Sequence, residues 1–283
     1  MDKKKINIFF AIRLLVFGLI LLVFAKQPVA QTETPASITN SDQVQAIIDR
    51  GVLRVGVKQD VPNFGYKNPD TGEFEGMEID IARKIADELG VDIEFTPVTA
   101  QTRGPLLDNS QVDMVIATFT ITEERKLLYK LLYNFTTPYY TDAVGFLVNK
   151  DSGIKTFTDL DGKTIGVAQG SITRTLISEL ADKYGITVNF AELGSYPELS
   201  VSLRAHRTDA FSVDQSILAG YISSKSELMD FSFSASDYGI VTKLSNKDLN
   251  NYLNSLVEKW TADGSLQSIY DANGLKPVTE TDE

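Results

Sequence analysis

Behind Lys3, Lys4, Lys5 and Arg13, residues Leu14 to Ala25 run for twelve positions without a polar side chain, and from residue 52 onward the apolar positions fall into short strand-like and helix-like periods. The first stretch has the cationic start and apolar core of a secretion signal, and it is shorter than the ~20 apolar residues of a membrane span. Cleavage is expected after Ala30, with Ala25 as the other site. An uncleaved N-terminal anchor is the alternative, because Ile6 to Ala25 nearly reaches spanning length once Arg13 is tolerated. Gln31 to Asn40 follows as a flexible leader.

Beyond it, strand and helix signals alternate. A helix is expected over 41–50, stopped by Gly51, then a strand over Val52–Val57 and a turn at Asn68–Glu73. Ile81, Ile85 and Leu89 share one helical face, ended by Gly90. Strands are expected at 91–98, 112–117, 143–148, 164–168, 187–191, 210–213 and 238–242, with helices at 173–184, 196–207, 215–223 and 247–261. This alternation predicts an α/β protein with mixed, mostly parallel sheets flanked by helices. Two similar lobes sharing a chain crossover fit it better than one continuous sheet: lobe 1 from 41–143 plus 240–277, lobe 2 from 144–239, with 278–283 a frayed tail.

Composition narrows the chemistry. The absence of cysteine excludes disulfides, thiolate metal sites, a catalytic Cys and a lipid anchor through Cys, and one histidine is too few for a two-histidine zinc motif. Residues 1–30 hold five positive charges and one negative, so the net charge of −11 becomes −15 over 31–283. Such a chain repels phosphate backbones, so no nucleic-acid partner is expected. No cofactor or metal is expected either.

Ligands of α/β lobes sit beyond the carboxyl ends of strands, which directs attention to a few residues. Arg125, in A-T-F-T-I-T-E-E-R, suits bidentate capture of a carboxylate beside the hydroxyls of Thr118 and Thr120; the plain alternative is a surface pair with Glu123 or Glu124. Gly170, Ser171 and Ile172 precede a helix whose first amides can hold an anion, unless Ser171 or Thr173 serves only as a cap. Asp214 ends an apolar strand and either receives an ammonium group or caps the next helix. Lys58 and Arg103 are further cations at element ends, and Tyr66 and Tyr238 flank the same loops.

Six segments together resemble the family 3 extracellular solute-binding proteins that feed amino acids to ABC transporters: G-V-L-R-V-G-V-K-Q-D-V-P (51–62), E-G-M-E-I-D-I-A (75–82), A-T-F-T-I-T-E-E-R-K (117–126), P-Y-Y (138–140), D-L-D-G-K-T-I-G-V-A-Q-G-S (159–171) and D-A-F-S-V-D (209–214). T-R-G-P-L-L-D-N (102–109), with Lys58, resembles the aspartate/glutamate-binding branch. The resemblance implies a type II periplasmic-binding-protein-like fold, two lobes joined by two crossing hinge strands and closing on the ligand. It also implies that Arg125, Thr120 and the amides of Ser171 and Ile172 hold the ligand carboxylate, while Asp214 and the Thr118 region hold the ammonium. Lys58 and Arg103 would then meet a side-chain carboxylate, with Phe64 and Tyr66 walling the pocket. A monomeric, exported receptor for glutamate or aspartate, or else glutamine, serving a membrane permease is the expectation. An exported dehydratase of the same fold, with Asp214 as general acid, is the alternative. One departure from the family pattern is a tandem L-L-Y-K/L-L-Y over 127–133, an extra helical turn expected to strain the segment that positions Arg125.

Overall fold

The computed structural model describes residues 42–122 and 133–278. Helix α1 (Asp42–Arg50) leads into strand β1 (Val52–Val57), and β2 (Asp60–Val61), β3 (Gly65–Lys67) and β4 (Phe74–Glu75) form a small antiparallel sheet. Helix α2 (Met77–Leu89), β5 (Asp92–Pro97), α3 (Arg103–Asp108), β6 (Met114–Ile116) and β7 (Tyr133–Phe135) complete the first pass through lobe 1. Lobe 2 follows with β8 (Tyr140–Asn149), a 3-10 turn (Phe157–Leu160), β9 (Thr164–Ala168), α4 (Thr173–Tyr184), β10 (Asn189–Leu193), α5 (Tyr196–Arg204), β11 (Ala210–Asp214), α6 (Gln215–Ala219), β12 (Ser226–Leu228) and β13 (Phe233–Tyr238). The chain then returns to lobe 1 through β14 (Val241–Lys243), α7 (Lys247–Ala262) and α8 (Ser265–Ala272).

Lobe 1 is built on the sheet β5-β1-β6-β14-β7, with β5, β1 and β6 parallel and β14 antiparallel to both of its neighbours, β6 and β7. Lobe 2 is built on β10-β9-β11-β8-β12, with β13 also paired to β8. Leu53, Val55 and Val57 of β1 are all fully buried, as a central strand covered on both faces requires. Helix α2 presents Ile81, Ala82, Ile85 and Leu89 to that sheet, and Gly90, at φ 67°, ends it with its N–H on Ala86 O and Asp87 O. Arg54 donates to Asp113 at 2.7 Å, and Arg50 donates to the same carboxylate, tying α1 and β1 to the strand that follows.

The chain crosses between the lobes twice, at 136–139 and 239–240, and the two crossings are hydrogen-bonded to each other. Thr136 N–H donates to Ile240 O at 3.0 Å, Ile240 N–H to Thr136 Oγ1 at 3.0 Å, and Tyr139 N–H to Tyr238 O at 2.9 Å. The single strand expected at 238–242 is therefore two strands, β13 ending at Tyr238 and β14 starting at Val241, because residues 239–240 pass between sheets. Strand β8 belongs to lobe 2 from Tyr140 onward, so it runs across the boundary expected between 143 and 144. Val278, placed in the frayed tail by sequence, donates its N–H to Thr141 O at 2.9 Å.

Candidate functional site

In the cleft between the lobes, Lys58 just beyond β1 meets Tyr196 of lobe 2, and Gly170 just beyond β9 meets Gln101 of lobe 1. Lys58 follows β1 and is 2% exposed, with its ammonium 4.6 Å from the ring centroid of Tyr196. Burial lowers its pKa to about 8, with Asp60 opposing the shift and Arg103 adding to it. Tyr196 is delivered from lobe 2 at the start of α5. There Ser195 and Glu198 form a reciprocal capping box and Pro197 presets the first turn. The Tyr196 N–H donates to Asp60 Oδ2 at 3.4 Å.

Arg103 opens α3 and is 3% exposed. Its Nη1 donates to Ala117 O at 2.7 Å and Thr118 O at 3.0 Å, and the guanidinium stacks 3.8 Å from the Phe119 ring centroid. Its Nε is buried with no acceptor. Glu78, in the first turn of α2, is fully buried; its Oε1 accepts from Thr118 N–H at 2.5 Å and from Tyr139 O–H at 2.6 Å, while Oε2 has no donor. Burial raises the Glu78 pKa, and Tyr139, Thr118, Lys58 and Arg103 hold it down.

In lobe 2, Asp214 precedes α6 without any side-chain capping bond, so the capping alternative falls away. Its Oδ2 instead accepts from Tyr238 O–H. Asp142 supplies the helix start: its carboxylate accepts from Ser216 N–H at 3.2 Å and from Ala143 N–H at 2.9 Å. Burial, then the nearby Asp214 charge, pushes the Asp142 pKa well above the usual carboxylate value. Neither Ser171 nor Thr173 caps α4, whose leading residue is Ile172. Ser171 turns back instead, with both its N–H and Oγ–H on Ala168 O at 3.2 and 2.8 Å, so that amide is already engaged.

Phe64 is fully buried, edge-on to Tyr140 at 5.3 Å and to Tyr238 at 6.2 Å between ring centroids. Tyr66 sits apart from this wall, half-buried on β3 opposite Asp60 and Glu75. Thr120 bridges to Tyr238. The structure thus gathers Lys58, Arg103 and Thr118 on one side, and Asp214, Tyr238, Phe64 and Thr120 around the crossing strands. Arg125 and the repeat at 127–132 lie outside the described residues. Glu78, Asp142 and Tyr196 were missed by sequence reasoning. Only Tyr196 carried a local signal, the S-Y-P-E box that fixes a helix start.

The lobes are closed on one another. Gly170, at φ 75°, faces Gln101 so closely that an added Cβ would lie 2.8 Å from its Cα. Gly170→Ala is expected to hold the lobes apart and weaken closed-form ligands about tenfold, since a left-handed alanine and a backbone clash both oppose closure. Isothermal titration against the wild type reads this, and an unchanged affinity would mean that Gly170 and Gln101 separate freely.

Residues 53–275 match the model of the bacterial extracellular solute-binding proteins, family 3. The chain is similar to a glutamine-binding protein of Geobacillus stearothermophilus, 38% identical over 231 residues, covering 80% of this chain and 83% of the relative. It is 34% identical over 238 residues to an ABC transporter glutamine-binding protein of Bacillus subtilis, covering 82% and 84%. Among solved structures it is similar to an ancestral amino-acid-binding protein described as a precursor of cyclohexadienyl dehydratase. That match has a TM-score of 0.72, 29% identity, and coverage of 81% and 98%. With its fold and its matched span in agreement, the chain belongs to the bacterial extracellular solute-binding proteins of family 3.

Proposed function

We propose that the protein is an extracytoplasmic receptor for an acidic L-amino acid, glutamate or aspartate, which it encloses between its lobes and delivers to an ABC transporter permease. The observation that carries this reading is the pair of buried cations Lys58 and Arg103 at the cleft, with the Arg103 Nε lacking an acceptor. Holding two like charges side by side away from water is costly, and a ligand carboxylate arriving between these two cations relieves both. Asp214, ending β11 and held by Tyr238, takes the α-ammonium, and Arg125 takes the α-carboxylate. Phe64 and Tyr238 wall the ligand, with Ile172 and Thr120 adding polar backbone and hydroxyl groups.

Glutamine is the second reading, favoured by the relatives named for it. The two adjacent cations place the acids first, because an amide oxygen carries only part of the compensating charge. A thermal-shift panel of all amino acids is the test: a ligand at 100 times its dissociation constant adds ~2.7 kcal/mol of stability. The largest shifts are expected for glutamate and aspartate, then glutamine; no shift with any of the three sinks the proposal. The dehydratase reading needs Asp214 to give up a proton, yet its Oδ2 is an acceptor for Tyr238 O–H. Incubation with prephenate or arogenate is expected to yield no aromatic product in the ultraviolet.

A further inference from the structure

Thr118 is held in a backbone conformation that threonine disfavours. Its φ is 46°, the left-handed region where a β-branched side chain crowds the backbone. Two of its backbone groups are taken by different elements: the N–H by Glu78 Oε1 at 2.5 Å and the carbonyl by Arg103 Nη1 at 3.0 Å. The segment it begins is the one that carries the ligand-binding candidates Thr120 and Arg125. Farther along, Gly239 N–H donates to Phe119 O at 3.1 Å and Ile121 N–H to Asp237 O at 2.7 Å, so the same loop is laid along the crossing strands. Glu78 joins these parts, because the oxygen that holds Thr118 also holds the hydroxyl of Tyr139 in the other crossing.

We infer that Glu78 is a positioning residue for ligand recognition: with Arg103 it clamps Thr118 in the left-handed conformation and so sets the ligand loop at 117–122 relative to the hinge. This rests on the receptor reading for its functional consequence, but not for its structural content. A buried carboxylate with one oxygen shared by a backbone N–H and a tyrosine O–H, and the other without a donor, has a poor purpose as a mere core residue; a leucine would fill the space without desolvating charge. Its worth lies in the N–H it holds. Without it, Thr118 relaxes toward negative φ and draws Thr120 away from the crossing strands. Arg103 accordingly acts on every amino-acid ligand through the loop, as well as on a side-chain carboxylate.

The test is a double-mutant cycle between Glu78→Met, which removes the acceptor at similar length, and Thr118→Gly, which removes the backbone strain the clamp opposes. L-Glutamate titrations of the four proteins are expected to show E78M weakening binding about tenfold with threonine at 118, the factor matching the cost of a left-handed non-glycine residue. With glycine at 118, E78M should weaken binding less than about threefold. Equal factors in both backgrounds, or no loss from E78M, overturn the inference. Melting temperatures of the same four proteins without ligand give an independent reading: the drop caused by E78M should be smaller beside glycine, and equal drops overturn the inference. If the wild type binds no glutamate, the receptor reading fails while this second measurement still decides the clamp. Should E78M not fold, Arg103→Met takes its place in the ligand-free melting-temperature cycle, with the same expected and overturning results.

Discussion

Asp214→Asn will remove most binding of every α-amino acid, whatever its side chain. Asp214 sits at the end of β11, where the lobe 2 sheet opens on the cleft, and its Oδ2 is oriented by Tyr238 O–H rather than spent on capping α6. Truncating one partner of a buried, hydrogen-bonded charge pair costs about 2 to 5 kcal/mol, a loss of roughly 30-fold to several thousandfold. Asparagine keeps the shape and an acceptor for Tyr238, so the loss isolates the charge. The fold should tolerate the change: Asp142, not Asp214, holds Ser216 N–H at the start of α6. Removing the Asp214 charge also lightens the second-largest influence raising the Asp142 pKa. Calorimetric titrations with glutamate and glutamine should therefore show parallel losses with the melting temperature nearly unchanged. Affinity within about threefold of the wild type, or loss for one ligand only, would place the ammonium elsewhere.

The residues most readable from the sequence are those whose role depends on position along an element. Val52–Val57, Thr164–Ala168 and Thr173–Tyr184 fall where expected, since each has a clean period and the helix is punctuated by glycine at 185, a left-handed stop. The small sheet of β2, β3 and β4 escaped because two- and three-residue strands leave no period to read. The crossing at 239–240 escaped for a different reason. Tyr238 to Thr242 looks like one β-rich run, and only the tertiary placement of Thr136 against Ile240 divides it. Site residues divide the same way. Lys58, Arg103 and Asp214 were visible because they follow strands or open helices. Glu78 was hidden, since an acid in the first turn of a helix is ordinary and nothing local says that this one turns inward to Thr118 and Tyr139. Asp142 was hidden inside a buried strand, where its use is set by α6 in a separate segment.

Lys58→Met will make the ligand-free protein more stable and the receptor worse. Burial is the main cause that lowers the Lys58 pKa from 10.5 to about 8, so its charge is disfavoured in the folded state relative to the unfolded one. The sign follows from proton counting: between about pH 8 and 10.5 the unfolded chain holds more protons at this group than the native one, so stability rises with pH across that window. Below about 8 the penalty is fully present, and the gap between the two pKa values corresponds to about 3 kcal/mol at neutral pH. Methionine fills similar space without charge, but gives up the stacking of the ammonium on Tyr196 and its attraction to Asp60 and Glu78. A net gain of about 1 to 3 kcal/mol is therefore expected at pH 7, shrinking toward zero as pH approaches 10.5. Denaturant melts of both proteins at pH 7 and pH 10 measure it. The same substitution should cost acidic ligands about 2 to 5 kcal/mol of affinity and glutamine distinctly less, because only the carboxylate exploits a full charge at that position. The wild type should also bind acidic ligands more weakly as pH rises through 8, with proton uptake on binding near that pH. A variant that is no more stable at pH 7, or that loses glutamine and glutamate equally, would show that Lys58 is neither the strained cation nor the reader of the side chain.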